Sequence, residues 1–148
     1  MPGRESVPAS EPAFDVIMQG PVFLDIVLTG LPNLPVGGTE VYAEGMGSAP
    51  GGAANMAVAA SRLGLRTGLA AAFGDDLYGD FMYRTLADQE GIDLSMSRRF
   101  DDWHSPVTVS MAVNRDRAMV THAHPSPTSC ESDRKSTRLN SSHDQISY

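Results

Sequence analysis

Two adjacent glycines, Gly51-Gly52, with Asn55 close behind them in the run Pro50-Gly51-Gly52-Ala53-Ala54-Asn55-Met56-Ala57, are the residues of this chain best suited to holding a small polar molecule. Lacking a Cβ, paired glycines let the backbone pass where a side chain would collide with a ligand. Asn55 adds an amide that both donates and accepts. The Ala-rich stretch from Asn55 to Leu63, closed by Gly64, predicts a helix with Asn55 in its first turn. A helix amino terminus favours oxygen-rich ligands, so the segment reads as a turn able to hold one. On residue type alone, Gly51 and Gly52 also suit an ordinary structural turn, and Asn55 a first-turn cap. Asp25 is a further candidate. A carboxylate is acceptor-only and its charge strengthens each bond it accepts; without context it is a charge at a strand edge.

The elements that must position these residues follow from the apolar periodicity. Phe14 to Met18 reads as a buried strand ending at Gly20. Val22 to Thr29 alternates as a second strand, with Leu24, Ile26 and Leu28 on one side and Phe23, Asp25 and Val27 on the other. Pro32, Pro35 and Gly37-Gly38 predict a turn, after which Thr39 to Ala43 is expected to return. Thr67 to Phe73 reads as one short buried strand and Leu77 to Glu90 as a helix with Gly91 at its exit. Ile92 to Phe100 fits a strand or a loop. Val107 to Val113, Asn114-Arg115-Asp116 and Ala118 to Thr121 read as a hairpin with one apolar face. Strand, helix, strand, helix order implies a parallel sheet covered by helices.

The order Gly51-Gly52-Ala53-x-Asn55-x-Ala57, then Gly64, then Gly74, resembles the first signature of the PfkB carbohydrate kinases, the ribokinase-like family. The likeness runs from Phe14 to Gly20, through Asp25 and Gly74-Asp75-Asp76, to the hairpin Val107 to Thr121. It implies an α/β chain, the amino-terminal part of a ribokinase-like three-layer α/β/α fold with a small β lid. It also implies a substrate site made of Asp25, Gly51, Gly52 and Asn55, where Asp25 accepts from sugar hydroxyls. In the full-length parent such kinases use ATP and Mg to phosphorylate a sugar hydroxyl, with an aspartate base in a Gly-Ala-Gly-Asp stretch. Neither that stretch, nor the family's magnesium-associated Asn-x-x-Glu, nor a Gly-x-x-x-x-Gly-Lys-Ser/Thr phosphate loop occurs in the 148 residues. The expectation is therefore the sugar-binding half of a sugar or nucleoside kinase without its catalytic half. By itself this half would be inactive, would bind ATP and Mg poorly, and would contain no assigned catalytic residue. The alternative is a non-catalytic sugar-binding or regulatory module. Where several relatives have a polar residue two positions before the aspartate, this chain has Phe23, whose ring suits an apolar sugar face or a nucleoside base. Trp103, His104 and Pro106, leading into the hairpin, read as a surface turn. Relatives that dimerise lid to lid make a homodimer through the lid an expected partner.

Two other patterns fit less well. Gly45-x-Gly47-x-x-x-Gly51 has the look of a dinucleotide-binding turn, but that register puts Gly51-Gly52 inside a helix, where each glycine costs about 1 kcal/mol relative to Ala. His122-Ala123-His124 places two imidazoles on one side of a strand, yet no third ligand stands near them in sequence, so they read as surface histidines.

Composition sets the limits around these readings. The net charge of −7 and the absence of any cluster of Lys and Arg argue against nucleic-acid or anionic-membrane partners. The single Cys130 cannot form an internal disulfide, no apolar run reaches the ~20 residues of a membrane helix, and the first residues lack a signal-peptide core. A cytoplasmic setting is expected. Three regions are expected: a flexible leader at 1–13, a partial PfkB domain at 14–125, and a non-native disordered tail at 126–148. The tail is rich in Ser, carries the chain's one lysine, Lys135, loses apolar periodicity and looks like vector or adapter read-through.

Overall fold

The computed structural model describes residues 13–127. The expected leader and tail lie almost wholly outside them.

Strand β1 (Val16–Gln19) crosses to β2 (Val22–Thr29), which returns as β3 (Gly45–Gly52) and runs without a break into helix α1 (Ala53–Arg62). Then come β4 (Thr67–Ala70), β5 (Ala72–Gly74) and helix α2 (Leu77–Arg84), extended by one π turn at Thr85–Gln89. A short β6 (Arg98–Phe100) and the hairpin β7 (Val107–Val113) and β8 (Asp116–His122) follow. The result is a mixed α/β fold. β1 pairs in parallel with β4, β5 in parallel with β6, and a four-stranded sheet has the order β3-β2-β7-β8.

Several sequence expectations change here. The returning strand is Gly45–Gly52, not Thr39 to Ala43, because the Pro- and Gly-rich turn extends as coil to Glu44, whose N–H reaches Thr29 O. The dinucleotide-type pattern Gly45 to Gly51 is thus strand. Thr67 to Phe73 is two strands rather than one. At Ala71 the chain switches partners: its N–H goes to Ser97 Oγ and its carbonyl accepts from Arg98 N–H. The ambiguous Ile92 to Phe100 contributes a bridge at Asp93 beside Gly68 and then β6.

One core holds these parts together. Ala53, Ala54, Ala57 and Ala60 are the buried stripe of α1, small enough for the helix to lie close on the strands. Against them pack Val22, Leu24, Leu69, Phe73, Met82 and Leu86, with Phe73 and Tyr83 edge to face at 5.5 Å. Burial of side chains this large contributes about 1.5–3 kcal/mol each. On β2, Val22 and Leu24 point into this core, which turns Phe23 and Asp25 to the opposite face.

Candidate functional site

The site begins where β3 becomes α1. Gly52 caps the helix at φ 66° and ψ −131°, a backbone conformation that favours glycine. A Cβ at Gly52 would stand 2.5 Å from Pro21 O and 3.0 Å from Phe23 Cδ2, so two constraints select glycine. The next N–H, of Ala53, donates to Pro21 O at 2.9 Å and ties the turn to the β1–β2 connection.

Gly51 is selected by a different neighbour. β2 and β3 pair antiparallel with Phe23 opposite Gly51 and Asp25 opposite Ala49, so the Asp25 side chain leans diagonally over Gly51. A Cβ there would lie 2.5 Å from Asp25 Cγ, inside the carboxylate. The bare backbone of Gly51 makes the seat of the Asp25 carboxyl.

That carboxyl is half-buried, and among the described residues no donor or cation pairs with it. Burial pushes its pKa above the usual carboxylate range. Asn55 is exposed in the first turn of α1, two residues inside Ala53, and its side chain does not cap the helix. The first turn has no acidic residue and no side-chain cap, and its Ala53 N–H is taken by Pro21 O. The structure therefore sets Asp25 directly against Gly51, leaves Gly52 against Pro21 and Phe23, and puts Asn55 in the first helical turn beyond.

Beside this group lies a cavity of about 350 Å³. Gln19, Gly20, Phe23, Ala71, Trp103 and His124 are among its walls; Asp25, Gly51 and Asn55 are not. Phe23 belongs to both, so the cavity adjoins the site without containing it. Its Trp103 wall is fixed by an indole N–H to Pro125 O at 3.1 Å. The expected surface turn at Trp103, His104 and Pro106 is corrected in part. His104 is exposed, but Pro106 is buried and Trp103 faces the cavity.

Sequence reading missed the knot that holds this entry to the hairpin. Ser105 is only 1% exposed. Its N–H donates to Asp76 Oδ2 and its hydroxyl to Asp76 Oδ1, both at 2.8 Å, while that hydroxyl accepts from Gly74 N–H at 2.9 Å. Asp76 is also the N-cap of α2, accepting from Gly79 N–H at 2.7 Å. Burial alone would raise the Asp76 carboxyl, but the bonds from Gly79 and Ser105 outweigh it and hold the pKa below the ordinary value. An aspartate immediately before the helical run at Leu77 was the available signal. His122 and His124 meet edge to face at 4.8 Å.

A mixed α/β fold with a four-stranded sheet that carries the Asp25–Gly51 contact and runs directly into α1 defines the class of protein. Residues 24–141 match the model of the pfkB family carbohydrate kinases, and the chain belongs to that family. It is 44% identical over 66 residues to a fructokinase of Escherichia coli, covering 44% of this chain and 21% of that protein. A PfkB protein from Polaromonas shares 27% identity at a TM-score of 0.61, covering 74% of this chain and 35% of its own. A ribokinase from Cryptococcus neoformans, solved with ADP, shares 27% at a TM-score of 0.60 over 76% and 37%. The fold is also that of an Arabidopsis thaliana ribokinase solved with ribose and ATP, at 22% identity and a TM-score of 0.64 over 72% and 35% of the two chains. The chain thus spans about a fifth of the fructokinase and about a third of these solved structures.

Proposed function

We propose that residues 14–125 are the sugar-binding part of an ATP-dependent sugar kinase, with Asp25, Gly51, Gly52 and Asn55 as its substrate contacts. The observation that carries this reading is the Asp25 carboxylate, half-buried without a donor among the described residues and seated on a glycine that leaves it room. A buried acceptor of this kind is costly until donors reach it, and sugar hydroxyls are such donors. Asn55 supplies a donor and an acceptor at the far side of the glycine turn.

The phosphoryl-transfer step belongs to the whole kinase. ATP with Mg would supply the phosphoryl group and neutralise its developing charge. Among the described residues no group of three or more His, Cys, Asp or Glu is placed to hold a metal ion, so the residues present do not fit Mg. Their part is to bind and orient the acceptor; the chain alone is expected to be inactive. The exposed Met119 and Val120 on the outer lid strand β8 suit pairing of two lids. No helix among the described residues is long and apolar enough to cross a membrane; the composition suits a cytoplasmic setting.

The test is thermal stabilisation of the 148-residue chain by fructose or ribose, with ATP in parallel. A rise in Tm with either sugar, and none with ATP, is expected. Stabilisation by ATP alone would contradict the assignment.

A further inference from the structure

Asp25 does not stand alone on its face of the lid sheet. The register sets Asp25 opposite Thr108 on β7, and Thr108 opposite Thr121 on β8. Residues directly opposite share a face, so one row across three strands reads Asp25, Thr108, Thr121. At a strand spacing of about 4.8 Å, the two threonines lie about 5 and 10 Å from the aspartate strand. Their hydroxyls meet at 3.0 Å, which confirms that both point to the same side. Neither is buried.

The pair has an uncommitted hydrogen-bonding capacity. Each hydroxyl has one donor and two acceptor sites, and their mutual bond uses one donor and one acceptor, leaving one O–H and three lone pairs. A monosaccharide seated at Asp25 carries hydroxyls around its ring and presents them toward this pair. A nucleoside has its anomeric hydroxyl replaced by the base, and a base face set against the pair would leave the threonine hydroxyls unmatched. Phe23, one step along β2 on the same face, offers the apolar contact that a sugar ring's C–H side needs.

We propose that the Thr108–Thr121 pair is a second hydroxyl-binding station on the Asp25 face and makes the site selective for a polyhydroxylated sugar over a nucleoside. This rests on the sugar-site reading of Asp25. The experiment is titration calorimetry of the 148-residue chain with fructose, ribose and adenosine, compared with Thr108→Val/Thr121→Val and, separately, Asp25→Ala. Valine keeps the branched shape and strand preference of threonine, so the lid is retained. The double variant should bind sugar about tenfold more weakly, the scale of two lost neutral hydrogen bonds, with adenosine affinity unchanged or raised. Unchanged sugar affinity in the double variant, with binding lost in Asp25→Ala, would overturn the threonine station and leave the Asp25 site standing. Tighter binding of adenosine than of either sugar by the unaltered chain would overturn the selectivity. Absence of sugar binding by the unaltered chain would overturn the site reading itself, and this inference with it.

Discussion

The Asp25 carboxylate stands half-buried over a bare glycine with no donor among the described residues, and burial raises its pKa above the ordinary value. On the proposed reading, donation from sugar hydroxyls would stabilise the ionised form, so binding and deprotonation of Asp25 would be coupled. Affinity should fall as the pH drops through the raised Asp25 pKa, and Asp25→Asn should remove that dependence; calorimetry across the carboxylate range measures both. The stability term has the opposite sense. A raised acid contributes stability below its unfolded pKa and loses it as pH rises through the folded one. Gly51→Ala should displace the carboxyl and weaken sugar binding at least tenfold, with the melting temperature changing less than the affinity. The types and spacing of Gly51, Gly52 and Asn55 were legible because a sharp backbone requirement leaves few residue choices. Thr108 and Thr121 were not, because a polar residue on a strand acquires its meaning from the register of its neighbours, which only the fold supplies.

At the scale of elements, two joints decide where the lid stands. Asp76 caps α2 and holds Ser105 at the entry to β7, so Asp76→Ala loses a helix cap and leaves the buried Ser105 donors unmatched. It should cost about 2 kcal/mol or more in denaturant unfolding. The Asp76 carboxyl is held below its ordinary pKa, so its contribution is present above the unfolded value and declines as pH falls through the folded one. The lid's far end turns on Asn114 and Arg115 at φ 51° and 64°. Asparagine adopts that conformation at less cost than arginine, and Arg115→Gly should stabilise the chain by about 0.5 kcal/mol in the same assay. The helices and the hairpin were readable from their periods and caps. The returning strand was misplaced because Gly45 to Gly52 carries almost no apolar alternation; pairing with β2 creates it. The break at Ala71 also had no sequence signal, since it comes from a switch of hydrogen-bond partners to Ser97 and Arg98.

For the molecule as a whole, the described core is small and its sheets leave open edges. Among the described residues β1 pairs on one side only, and Ile17 on it is 52% exposed. An unpaired apolar strand edge invites association, so the chain should sediment as more than a monomer at micromolar concentration, and Ile17→Lys should shift it toward monomer. The α/β class was legible because the element order alone restricts the topology; the division into three hydrogen-bonded sheets was not, because it depends on long-range pairing. The central claim is that this fold presents a sugar-binding turn governed by Asp25. Its most direct test is calorimetric titration of fructose and ribose into the 148-residue chain and into Asp25→Ala. Saturable binding of at least one sugar, weakened at least tenfold in the variant, is the predicted result. Equal binding by both chains, or none by the unaltered chain, would contradict it.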